Sequence, residues 1–226
     1  MVAAARRGMR TGTGAITHMT DPTALQTLLA WFSPAFPVGS YSYSHGLEQA
    51  IADGEITDAA SAGAWIADVI AHGAGRNDAI LLALAYRGQD VADLAAALAG
   101  SAERHHETAA QGAAFARVVS AVHAPLAAAP YPVAVGQAAR AANLPLPATL
   151  TAFLQGFAAN LIAACVRFVP LGQTEGQVLL THLMPLIARI ATEAATADES
   201  DLGGACLRGD LAAIRHETLD TRIFRT

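Results

Sequence analysis

The side chains with the widest chemistry in this chain are its eight histidines, and the adjacent pair His105-His106 invites a metal reading first. Neighbours on an α-helix project about 100° apart, so two consecutive imidazoles cannot grip one ion; zinc helices place them at i and i+4. The pair reads as a solvated helix face. His45 follows the run SYSYS, which brings Ser42, His45 and Glu48 together in sequence. A hydrolase triad is a spatial arrangement, however, and the G-x-S-x-G elbow and the strand that would carry it are both missing. A cryptic helical active site at these three residues stays as an alternative. His182 and His216 fall on helical segments and read as capping or interface groups, with a transient metal contact by His45 or His216 left open.

Other chemistry is excluded by residue type. All fourteen basic residues are arginine, and the chain has no lysine. A P-loop needs its lysine on the terminal phosphates and Schiff-base catalysis needs an amine, so neither is available. The glycines of RTGTGAI lack the third glycine and the preceding strand of a dinucleotide fingerprint. Asp198, Glu199 and Asp201 read as a solvated turn. Cys165 and Cys206 stand far apart without a C-x-x-C, which suggests two reduced thiols. A net charge of -5 argues against nucleic acid as a partner. The expectation is no catalytic residue, no permanent metal and no cofactor site.

The elements that must position these residues are helical throughout. Residues 1–19 mix arginine, glycine and threonine without period and read as a disordered leader, consistent with an extended start ahead of Met19. From 20 to 226 the pattern is a single all-α domain. Asp21-Pro22 is an N-cap followed by proline at the first helical position, and Leu25, Leu28, Leu29 and Phe32 form one face. Further helices are expected at 42–53, from about 58, at 76–86, 91–99, 101–122 and 132–142. The central one carries Leu150, Phe153, Leu154, Phe157, Leu161, Ile162, Cys165 and Phe168 at helical spacing. A long helix follows with Pro185 inside it, expected to kink there, and a last one lies near 206–217. The most apolar stretch, 150–166, contains Thr151, Gln155 and Asn160 and stops at Arg167, so it reads as a core helix; no membrane span is expected.

What remains unusual is polar, glycine-rich material between helices, FPVGSYSYSHGLE and VPLGQTEGQ, together with a terminal TRIFRT that offers apolar and basic anchors. Loops displayed on a rigid scaffold carry function. Plain turn duty explains part of them, with Gly39 and Gly172 supplying backbone angles.

At these segments the chain resembles the urease accessory protein UreF family, whose members read close to SPALPVGGFSYSQGLE where residues 33–48 read SPAFPVGSYSYSHGLE. Three more blocks agree in order: RHHETAAQG at 104–112, VPLGQTEGQ at 169–177 and HETLDTRIFRT at the C-terminus. The resemblance implies an all-α fold of about ten helices that dimerises, joins UreD (also called UreH) and the GTPase UreG, and delivers nickel to apo-urease in the cytoplasm while modulating GTP hydrolysis. By the same resemblance nickel is expected to pass through that complex without a permanent site. It further implies partner-binding positions at Pro37, Gly39, Tyr41, Ser44, His45 and Glu48 of the first loop and at Gln173 and Glu175 of the second. In the tail, about 218–226, the candidates are Arg222, Phe224 and Arg225, preceded by His216, Glu217 and Thr218. Arg167 stands where many members carry a lysine, and arginine keeps the charge while adding a planar fork of donors. A generic helical scaffold unrelated to nickel is the competing reading.

If the tail is a free docking peptide, removing residues 223–226 weakens UreD binding in a pull-down and leaves the circular-dichroism melting temperature in place.

Overall fold

In a computed structural model that describes residues 21–225, ten α-helices and two short 3-10 turns make one all-α domain, and there is no β-strand among the described residues. The expected leader, 1–19, lies outside the described residues. Local signals start most helices. Asp21 accepts the amide of Thr23 and Pro22 opens α1 (Pro22–Trp31). Asp58 and Ser61 cap each other reciprocally at the head of α3 (Ala59–His72). Ser101 accepts the amide of Arg104 and starts α6 (Ala102–Val122).

The expected helix over 42–53 is split. A 3-10 turn at Ser40–Ser42 is followed by α2 (Leu47–Ala52), because His45 and Gly46 take left-handed angles of +51° and +74° and an α-helix cannot run through them. Gly46 has no freedom to be otherwise, since a Cβ there would lie 2.7 Å from the backbone nitrogen of Ala213.

The core is built on α4 (Ala74–Tyr86), whose residues from Asp78 to Ala85 are all buried, and on α8 (Leu146–Phe168), which buries Leu150, Phe153, Leu154, Leu161 and Ile162. Each buried leucine, isoleucine or phenylalanine among them contributes about 1.5–3 kcal/mol by leaving water. The expectation of one central helix is therefore half the picture. The stretch after Gly73 has alanine and leucine all round, so its burial carries no single-face periodicity to read. Around this pair pack α7 (Tyr131–Ala141) on α4 and α9 (Gln173–Thr196) on α8, α3 and α4, with α5 (Ala92–Ala97) beside α6. Trp31 meets Phe115 of α6 edge-on at 5.2 Å.

Helix α9 remains helical through Pro185. Both Pro185 and Thr181, whose carbonyl loses its amide partner there, face solvent, so no buried group is orphaned. Its far end is closed by Arg87, which donates to the carbonyls of Ala195 and Ala197 at the negative pole of the helix. By length and apolar composition α8 and α9 are each sufficient to cross a membrane. They pack on each other, and α9 turns Thr181, His182, Arg189, Thr192 and Glu193 outward.

Helices α4 and α7 cross closely because Gly136 has no side chain. A Cβ there would come 2.3 Å from the carbonyl oxygen of Leu82 and 3.0 Å from the Cβ of Ala85. Gly136→Ala is expected to cost about 1–3 kcal/mol by overpacking, read as a lowered urea midpoint with unchanged slope.

Candidate functional site

The last helix, α10 (Leu207–His216), and the residues after it return across α2 and the N-terminal turn of α6, and they meet the first loop there. Two polar clusters, both mostly buried, hold this junction together.

The deeper cluster joins α4, α6 and the first loop. Arg104 pairs with Asp78 Oδ2 and lies 3.1 Å from Glu107 Oε2, while His45 Nε2 approaches Glu107 Oε1 at 3.1 Å. Gln111 Nε2 donates to the same Glu107 oxygen at 2.8 Å. The left-handed corner at His45 and Gly46 is what turns the imidazole toward Glu107 of α6, and Phe157 of α8 meets it edge-on at 4.7 Å. Burial alone would push Glu107 upward, but the charges of His45 and Arg104 together outweigh it and hold its carboxyl at about 2. Asp78 goes the other way, raised because desolvation exceeds the help of Arg104. Cavities of about 50 and 200 Å³ flank the cluster, and His45, Asp78 and Arg104 line both. Cys206 lines the larger one, with its thiol pushed up by burial.

The outer cluster grips the tail. Glu48 accepts the backbone amides of Ile223 at 2.8 Å on Oε1 and of Phe224 at 2.9 Å on Oε2. His216 stands between Glu48 and Glu103, 2.9 Å and 2.8 Å from their oxygens. Arg222 closes the cluster on Glu103 at 2.6 Å, and the amide of Arg225 donates to the carbonyl of Ser42 at 2.7 Å. Phe224 is buried, with Phe168 at 5.4 Å and the Arg167 guanidinium 5.9 Å from its ring centre.

Residues 33–48, 104–112, 167–169 and 216–225, scattered in sequence, thus close on one another. Over residues 56–184 the chain matches the UreF family model. It is 60% identical over 207 residues to the urease accessory protein UreF of Cereibacter sphaeroides strain KD131, covering 90% of this chain and 99% of that one. It is 50% identical over 220 residues to the protein of the same name from Roseobacter denitrificans, covering 95% and 98%. The chain belongs to the UreF family. That makes it an accessory protein of urease and not an enzyme.

Ser42, His45 and Glu48 do not converge as a catalytic group: the carbonyl of Ser42 and both oxygens of Glu48 hold the tail, and His45 faces Glu107. Among the described residues no three His, Cys, Asp or Glu side chains gather to hold a metal ion.

The residues singled out from sequence divide by exposure. Ser44, Glu48, His216 and Phe224 are buried and His45 nearly so; Gly39 supplies a left-handed turn at +75°. Glu217 accepts the amide of Ala102 at the head of α6, and Thr218 donates to the carbonyl of Arg215. Glu175 reaches back to the amide of Gly172 and serves as a cap, with Gln173 exposed beside it. Pro37, Tyr41, Arg222 and Arg225 remain on the surface. The tail is therefore not a loose peptide: Phe224 belongs to the core, and deleting residues 223–226 removes its packing and leaves Glu48 without its amides, which lowers stability. Asp78, Glu103, Arg104, Glu107 and Gln111 were missed. A signal for three of them existed, because Arg104, Glu107 and Gln111 continue the stripe that Phe115 and Val119 occupy on α6.

The depressed Glu107 sets a pH dependence. Its stabilising contribution is complete above the ordinary carboxyl value of 4.5 and is lost as pH falls toward about 2, while the raised Asp78 partly opposes it. Glu107→Gln is expected to flatten the stability profile over that acid range and to lower stability at neutral pH, since His45 then loses its buried carboxylate and Arg104 keeps only Asp78; denaturant midpoints across pH measure both.

Proposed function

We propose that this protein is an adaptor in urease maturation that joins UreD/UreH to the GTPase UreG, so that nickel reaches apo-urease and GTP hydrolysis is modulated in step. The observation that carries the reading is the tail seated on the first loop. The grip of Glu48 and His216 turns a chain terminus into a fixed surface with Tyr41, Arg222, Ile223 and Arg225 facing outward. A rigid display of an aromatic ring, an aliphatic side chain and two guanidinium groups loses little entropy on docking and supplies the residue types that dominate interfaces.

In this reading UreD meets the surface formed by the first loop and the tail. Arg167, stacked on Phe224, ties that surface to the end of α8, so a change at one is felt at the other. Nickel is cargo that passes through the assembly, and the chain holds no resident cofactor. The adaptor works in the cytoplasm as a homodimer, with no nucleic acid or membrane as partner.

Co-expression with UreD and UreG, followed by affinity capture and a nickel count on urease, tests this. Both partners are expected to be retained, and Tyr41→Ala combined with Arg222→Ala to weaken UreD capture at least about tenfold while helical content is kept. Failure to retain either partner, with urease fully nickel-loaded in the absence of this protein, overturns the reading.

A further inference from the structure

Two side chains that line the smaller cavity, of about 50 Å³, each carry a buried polar atom with no hydrogen-bond partner among the described residues: Nε1 of Trp31, which is 2% exposed, and Oε2 of Glu107, which is 3% exposed. An indole N–H only donates and an ionised carboxylate only accepts, so the two orphans are complementary in kind. The other oxygen of Glu107 is occupied, since Oε1 receives Gln111 and faces His45. Oε2 has Arg104 3.1 Å away as an ion-pair partner, and no hydrogen bond forms between them. A buried polar atom left bare forfeits its hydration with nothing in return, which is why such atoms are paired in folded proteins.

The lining restricts what can pair them. Asp78 and Glu107 repel an anion, and the Arg104 guanidinium beside Oε2 repels a cation. The occupant is therefore a neutral molecule that both accepts from an N–H and donates to a carboxylate. Size reduces the choice further, because a cavity of this volume takes about two or three waters. Ser40 of the first loop, Tyr131 of α7 and Asn160 of α8 bring further hydroxyl and amide groups to the lining, and a buried water needs two to four polar partners.

We propose that this cavity is an internal hydration site, in which a small cluster of ordered waters accepts from Trp31 Nε1, donates to Glu107 Oε2 and joins the end of α1 to the first loop and α6. Water-bridged contacts are enthalpically close to direct ones, so the joint is firm although it is wet. The first loop is then gripped on two sides by different means: direct hydrogen bonds from the tail to Ser42 and Glu48, and water on the side of Trp31. Trp65 supplies the contrast. Its Nε1 is also buried without a partner, but Trp65 lines neither this cavity nor the larger one beside it, so there is no room for water at that indole.

Nuclear magnetic resonance of the full chain labelled with ¹⁵N-tryptophan gives one indole signal from each of the two tryptophans, told apart by Trp65→Phe. The Trp31 indole proton is expected to show cross-peaks to water of opposite sign in the laboratory-frame and rotating-frame Overhauser experiments, the signature of a held water; proton exchange gives the same sign in both. The Trp65 indole is expected to show none. A crystal structure with its solvent resolved is expected to place water oxygens within about 3.2 Å of Trp31 Nε1 and of Glu107 Oε2. No water signal at Trp31, an equal one at Trp65, or a cavity that admits xenon under pressure as dry apolar cavities do, overturns the proposal.

Discussion

The Glu48 carboxylate is the contact on which the functional face depends. It receives two tail amides and one imidazole, and it sits in the first turn of a six-residue helix too short to be stable alone. That helix is held where it is by the left-handed corner at His45 and Gly46 and by the backbone of α10 pressed against Gly46. The same carboxylate therefore fixes a loop, a short helix and a chain terminus relative to one another.

Beneath it, the Asp78, Arg104, Glu107 and His45 cluster repeats the logic one layer deeper. Buried ion pairs add little net stability against apolar side chains of equal volume, because desolvation offsets the attraction. They are demanding about geometry, however. Arg104 must meet carboxylates from α4 and from its own helix while His45 arrives from the first loop, so one arrangement of three segments satisfies all of them.

Helix α10 shows the other side of that division. It buries the small residues Gly209 and Ala212 together with His216, and leaves Leu207, Leu211 and Ile214 exposed. The close approach that brings His216 to Glu48 requires small residues on the inner face, so its large apolar side chains point outward. Helix α10 is thus held by small residues and one polar side chain inside and carries its large apolar side chains outside, the reverse of an ordinary surface helix.

The sequence by itself determined the fold class, the family and the start and stop of most helices, because caps, prolines and 3.6-residue periodicity act within a few residues of chain. It also singled out the blocks that carry the site. The tertiary structure alone decided that these blocks meet, that Glu48 and His216 face each other across 168 residues of chain, and that Phe224 is core rather than a free anchor. Arg104, Glu107 and Gln111 occupy helical positions that are apolar further along α6, and whether such a stripe is solvated or buried and paired depends on what packs against it. Pairing energies of that kind arise between elements distant in sequence, and nothing local encodes them.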